Sequence, residues 1–142
     1  MAEETTRCGV IVTDGKRLLL GHATRSPRWD IPKGGPEPGE DFAAAARREL
    51  QEETGLDAPA EALIPLGVRT YLRNKALALF AWHVLTLPDP RALKCTATIA
   101  LPSGALLPEF DRFGLFTIAE AREKVGKNLA RLLAEISLSA LK

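Results

Sequence analysis

Residues 34–56 read GGPEPGEDFAAAARRELQEETGL. Glu40 and Asp41, a run of alanines and a closing Gly55 predict a helix over 40–54. Acidic residues suit the partially positive N-terminal end, alanine favours the helical backbone, and glycine supplies the left-handed stop. Glu49, Glu52 and Glu53 then fall at the other end, where the macrodipole disfavours negative charge. At 100° per residue the three share an arc of about 100°, and like charges one turn apart destabilise a helix. Two penalties at one place call for positive charge. Arg47 and Arg48 bring some, with Arg48 and Glu52 spaced as an i,i+4 pair, which supports a solvated acidic face. The sharper alternative is a divalent cation, because Mg²⁺ prefers carboxylate oxygens and keeps waters and phosphates as its remaining ligands.

The preceding loop is built to approach that helix closely. Gly34, Gly35 and Gly39 alternate with Pro32, Pro36 and Pro38, a rigid bend able to offer a carbonyl to a metal, or amides and Lys33 to phosphates. A glycine-rich loop alone is weak evidence, since most such loops are simply turns.

Around this centre the chain reads as alternating strands and helices. RCGVIVT (7–13) and KRLLLGH (16–22) are strand-like runs joined at Asp14-Gly15, a hairpin signal. A short strand is expected at Trp29 to Ile31. LIPLGVRTYLR and KALALFAWHVLT, within 63–86, are two strands around Asn74-Lys75, the second apolar on both faces as in a doubly covered strand. Residues 87–110 are proline-rich and read as irregular, and 110–117 as another strand. Thr117 to Glu120 is a capping box. Beyond it Val125, Leu129, Leu132, Leu133 and Ile136 recur at helical spacing as core contacts. The expected fold class is α/β (α+β), a mixed β-sheet with helices on both sides, in one domain spanning 1–142.

The bulk numbers exclude several classes. A net charge of +1 over 142 residues gives no global attraction to nucleic acid or a membrane surface, so an anionic substrate must be held by local charges. No apolar run reaches membrane-spanning length. Cys8 and Cys95 form no metal-binding pattern and read as reduced thiols, and the acidic start MAEETTRCGVIV is the wrong lead for a secretory signal. A cytoplasmic protein is expected.

Gly34, five residues, Glu40, seven residues, Arg48-Glu49-Leu50, then Glu52-Glu53 and Gly55-Leu56, matches the Nudix box at every fixed position. The order of elements also resembles the Nudix α/β/α sandwich over most of the chain. The resemblance implies a hydrolase that cleaves a phosphoanhydride in a nucleoside diphosphate linked to another moiety, with Mg²⁺, or Mn²⁺, as cofactor. It implies Glu49, Glu52 and Glu53 as metal ligands, with the Lys33 backbone carbonyl as a further ligand. Glu49 or Glu52 is the preferred catalytic base, supported by Arg48, and Glu109 is an outside candidate whose plain reading is a solvated loop acid. Glu40 and Gly55 have structural roles in the motif. The glutamates would then sit where stability disfavours them because a metal needs them there.

Trp29-Asp30-Ile31-Pro32-Lys33-Gly34 is similar to the W-x-x-P-K-G stretch of Nudix enzymes acting on dinucleoside polyphosphates. On that likeness Lys33, Gly34, Gly35, Arg28, Trp29 and Tyr71 are the expected substrate contacts, with Arg25 also suited to phosphate. Each has a plainer reading: Trp29 as packing, the cations as surface charge, and Arg69, Tyr71 and Arg73 as strand positions. His22 and His83 read as packed histidines. An RNA 5′-pyrophosphohydrolase and a catalytically silent nucleotide-binding module are the competing functions. A small nucleotide is the expected partner, without a stable nucleic-acid complex or membrane. Oligomeric state is left open.

Overall fold

The computed structural model describes residues 5–141. Two long strands carry the sheet. β1 (Thr5–Thr13) and β6 (Lys75–His83) run parallel in unbroken register from Thr5↔Lys75 to Thr13↔His83. Side chains alternate across a strand, and both strands are apolar on both faces. Cys8, Val10, Val12 and Ala78 point into one core; Ile11, Leu77 and Leu79 point into the other. Burial on both faces is why neither strand shows a simple polar–apolar alternation.

The remaining strands extend this pair. β2 (Leu18–Ala23), β3 (Trp29–Asp30), β4 (Lys33–Gly34) and β5 (Leu63–Leu72) give the order β3-β2-β1-β6-β5, with β4 bonded to β1 and β9 (Phe110–Phe116) bonded to β2. The hairpin expected at Asp14-Gly15 is narrower than its signal. β1 and β2 pair at Thr13↔Leu18, across a link in which the Asp14 carboxylate accepts the N–H groups of Lys16 and Arg17. Beyond it β1 turns its edge to β4, at Cys8↔Gly34 and Gly9↔Lys33. That divergence sets the glycine-rich loop against the middle of the sheet.

α1 (Phe42–Thr54) starts two residues later than expected. Asp41 is the N-cap, its carboxylate accepting the Ala44 N–H at 2.7 Å, and Glu40 folds back before the helix to accept from Glu37. Gly55 closes the helix at φ +83°, with its N–H on the Gln51 carbonyl. Ala45, Ala46 and Leu50 bury one face of α1 against β1 and β6.

On the opposite side lie α2 (Ile118–Lys124), opened by the expected Thr117–Glu120 capping box, and α3 (Lys127–Leu133). Leu129, Leu132 and Leu133 are buried there, Ile136 packs at the margin, and Val125 belongs to the link before Gly126. The 87–110 segment is more ordered than its prolines suggest. It holds a 3₁₀ turn at Pro90–Ala92 and a small hairpin, β7 (Thr98–Ala100) and β8 (Leu106–Pro108), turning at Gly104.

Leu50 ties α1 to the sheet and is fully buried. Leu50→Ala is expected to lower stability by about 2–5 kcal/mol in urea unfolding. Leu85→Ala, at a position 95% exposed, is expected to stay within about 0.5 kcal/mol.

Candidate active site

Glu49, Glu52 and Glu53 share one side of α1 but have three different environments. Glu53 is 2% exposed, whereas the side chains of Glu49 and Glu52 are 13% and 39% exposed. One carboxylate oxygen of Glu53 accepts the Lys33 backbone N–H at 3.1 Å; the other is buried without a hydrogen-bond donor. Its nearest acidic neighbours are Glu49 and Glu109. Burial, then the Glu109 charge, then Glu49, drive the Glu53 carboxyl far above the usual carboxylate range.

Glu109 stands next to this group. It is half-buried, and burial followed by the Glu49 charge raises its carboxyl, while Lys33 and Arg7 pull the other way. A sequence reading as a solvated loop acid misses this, because the β7–β8 hairpin that delivers Glu109 was not apparent. Its N–H bonds the Ala97 carbonyl, which anchors the residue.

Arg48 holds the outer side of the cluster. Its Nε and Nη2 donate to the two oxygens of Glu40, both at 2.9 Å, and Nη2 donates also to the Gly35 carbonyl at 3.0 Å. Nη1 donates to Glu49 at 2.9 Å and reaches Glu52 at 3.4 Å. This fork holds Glu40 below the ordinary glutamate range. Arg47 points elsewhere, to the Ala58 carbonyl.

Gly34 is required by contact. A Cβ there would run into the Glu49 carboxylate, so the loop reaches the helix only without a side chain. Lys33, beside it, is held by Asp30 at 2.7 Å and lies 6.0 Å from the Tyr71 ring centre. Burial alone would lower the Lys33 ammonium, but Asp30 outweighs it and the group stays above its ordinary value. Asp30 escaped the sequence reading, although its i,i+3 spacing to Lys33 was visible.

Arg28 and Trp29, neighbours in the chain, and the distant Tyr71 line a pocket of about 140 Å³ with Asp30. Trp29 is edge-on to His22 and Phe116, at 5.2 and 5.1 Å. His22 is buried and bonded to Asp111 at 2.8 Å, and His83 is half-buried at the end of β6. Arg69 pairs with Glu135 on the outside of the sheet, whereas Arg25 and Arg73 are exposed.

Among the described residues no three acidic, histidine or cysteine side chains converge as a ready-made metal cage; Arg48 engages Glu49 and Glu52. The donors nevertheless suit a hard cation. They are carboxylate oxygens, one of them buried and unsatisfied, and Mg²⁺ completes its shell with waters and phosphates.

The NUDIX domain family matches residues 4–136. The chain belongs to the Nudix family. This Nudix protein is a hydrolase of pyrophosphate bonds, in a family that generally uses a divalent metal such as Mg²⁺ and acts on small nucleotides. It is similar to an uncharacterized 17.7 kDa protein of the e-segB intergenic region of Enterobacteria phage T4, at 34% identity over 92% of this chain and 93% of that one. An RNA pyrophosphohydrolase of Dinoroseobacter shibae is 49% identical over 51 residues, covering 34% of this chain and 32% of that protein. An Ap4A hydrolase of C. elegans superposes with a TM-score of 0.66 over 91% of this chain and 93% of that one; at 24% identity this is a likeness of fold. Among the described residues of this Nudix hydrolase, no helix is long and apolar enough to cross a membrane.

The raised carboxyl of Glu53 makes the stability of the metal-free protein depend on pH. A carboxyl raised in the folded state binds more protons there than in the unfolded chain, so stability falls as pH rises above the unfolded glutamate value of ~4.3. Urea unfolding in EDTA between pH 5 and 8 is expected to show that decline. Glu53→Gln should remove most of it and stabilise the protein by about 1–3 kcal/mol at pH 8; an unchanged slope would mean another group is responsible.

Proposed function

We propose that this chain is a Mg²⁺-dependent pyrophosphohydrolase whose substrate is a dinucleoside polyphosphate or a related nucleotide. The observation that carries the reading is the buried, unsatisfied carboxylate of Glu53 beside Glu49 and Glu109, next to the pocket of Arg28, Trp29 and Tyr71. A buried acid left without a donor lowers stability, and a cation together with a polyphosphate relieves that penalty.

Glu49, Glu52 and Glu53 hold the metal in this reading, with the Lys33 carbonyl alongside. When bound, Mg²⁺ supplies Lewis acidity toward the phosphate oxygens and lowers the pKa of water. Lys33 and Arg28 draw the polyphosphate in and orient it. Arg48 holds Glu40 and the Gly35 carbonyl, which fixes the loop, while it shares Glu49 and Glu52 with the cation. Tyr71 and Trp29 border the nucleoside, Trp29 offering whatever ring area its packing leaves free.

The proton of the attacking water needs an acceptor within reach. Glu49 and Glu52 would help to hold the cation, and both are already engaged by Arg48. Glu109 has no arginine partner among the described residues and has a raised proton affinity beside the cluster. These features favour it as the general base. A protein of the cytoplasm, acting on a free nucleotide, suits the small pocket and near-neutral charge. The local likeness to an RNA pyrophosphohydrolase supports a 5′-triphosphorylated RNA end as the second candidate substrate.

Turnover is to be measured with Mg²⁺ on diadenosine polyphosphates, nucleoside triphosphates, nucleotide sugars and 5′-triphosphorylated RNA. The expected outcome is strongest turnover on diadenosine polyphosphates, lost in Glu53→Gln and reduced about 10²-fold or more in kcat by Glu109→Gln. Mg²⁺ should stabilise the wild type by about 2.7 kcal/mol at a hundredfold excess over Kd. Stabilisation without turnover on any substrate would favour the silent binding module. Full activity in Glu109→Gln would return the base to Glu49 or Glu52.

A further inference from the structure

Leu66 and Tyr71 are spaced i,i+5 on β5, yet both pack against the core on the α3 side of the sheet. Side chains alternate along a strand, so an odd spacing should put them on opposite faces. A β-bulge resolves the conflict. Between Pro65↔Phe80 and Val68↔Ala78, β5 advances three residues while β6 advances two. Gly67 stands in this interval at φ +92°, in the left-handed region that glycine enters freely. One extra residue turns every later side chain to the other face. Plain alternation from Leu66 would have turned Val68, Thr70 and Leu72 toward α3. Val68 and Leu72 are instead 55% and 39% exposed, and the half-buried Arg69 and Tyr71 take the positions facing α3. Exchanging two aliphatic side chains for an arginine and a tyrosine works against the burial of apolar area.

The exchange brings Tyr71 to the pocket of Arg28, Trp29 and Asp30, its ring centre 6.0 Å from the Lys33 ammonium. A second bulge falls at Tyr71 itself, where two steps of β5, from Thr70↔Ala76 to Leu72↔Lys75, match one of β6. β5 is the last strand in the order of the sheet, with β6 as its neighbour. Backbone groups in a bulge lose their ladder partners, so this end of β5 needs support from another element. It comes from α3. Arg131 Nη2 donates to the Thr70 carbonyl at 3.2 Å and reaches the Tyr71 carbonyl at 3.4 Å. At the first bulge Arg69 Nε donates to the Leu66 carbonyl at 3.2 Å, and its Nη1 pairs with Glu135, just past α3, at 2.8 Å. Leu129 of α3 lines the same pocket as Tyr71. Arg131 therefore ties two walls of the pocket together.

We propose that Arg131 is a positioning residue for nucleotide binding: by pinning the bulge at Tyr71 to α3, it fixes the tyrosine ring at the rim of the pocket. The assignment rests on the hydrolase reading above, in which Tyr71 borders the nucleoside. Arg131 acts through Tyr71 and makes no bond to the acidic cluster, so it sets KM and leaves kcat alone.

Tyr71 is the single tyrosine of the chain, so labelling with 3-fluorotyrosine gives one ¹⁹F resonance that reports its ring directly. Arg131→Met keeps the aliphatic stem and removes the donors. It is expected to move that resonance in the ligand-free protein. It should also raise KM for diadenosine tetraphosphate about three- to tenfold, the range that one hydrogen bond carries, with kcat within about twofold. Arg122→Met removes an exposed cation of the neighbouring α2 and should leave both resonance and KM unchanged. In a Tyr71→Ala background, Arg131→Met should change KM by less than about twofold. An unmoved resonance, an equal rise of KM in Arg122→Met, or an additive effect in the double variant would each overturn the assignment. A moved resonance in a protein whose wild type turns over no nucleotide would uphold the positioning of Tyr71 by Arg131 and reject the proposed reaction.

Discussion

The guanidinium of Arg48 is the contact on which this arrangement depends. Four acidic side chains of α1 and its approach, Glu40, Glu49, Glu52 and Glu53, crowd a few residues, and three of them are bonded to this one group. Its planar fork takes both oxygens of Glu40 at once while a third nitrogen faces the helix, a geometry that a lysine ammonium does not offer. Through Glu40 and the Gly35 carbonyl the same group pins the loop to the helix. Repulsion among the carboxylates is thus turned into a restraint on the loop that carries Lys33. Glu53 alone lies beyond its reach, and Glu53 is the one left with an unsatisfied oxygen.

A second restraint acts at the far end of α1. The last carbonyls of a helix lack intrahelical donors, and here Glu52 and Thr54 receive theirs from Lys94, Thr96 and Ala97. The segment that looked unstructured is therefore the cap of the central helix. Because the cap continues into the β7–β8 hairpin, it also delivers Glu109 to the acidic cluster from outside the motif.

Much of this was legible in the residues. The helix, its Gly55 stop, the capping box at Thr117 and the doubly buried strand that opens at Lys75 all follow from local patterns, with the helix starting two residues later and the strand ending earlier than expected. The three glutamates were legible as a cluster because helical spacing alone puts them on one face. What was hidden depends on contacts distant in sequence. The short β1–β2 ladder reflects competition from β4 for the same edge of β1, which no local turn signal reports. The β7–β8 hairpin was masked by Pro102 and Pro108, and with it went the environment of Glu109. Asp30 and Trp29 derive their surroundings from strands β2 and β9, so their roles beside Lys33 and Phe116 could not be read from the WDIPKG stretch itself.

The parallel pairing of β1 with β6 joins residues 70 positions apart, from Thr5↔Lys75 onward, and everything that forms the acidic site except Glu109 lies within the loop so closed. Parallel ladders of such separation form late, because the entropy of closing the loop is lost before any pairing is gained. On the ribosome, α1 would be complete long before β6 emerges, with Ala45, Ala46 and Leu50 uncovered. The site is therefore a property of the nearly finished chain: its glutamates acquire their different environments together, when the last strands arrive to bury one of them and bring Glu109 alongside.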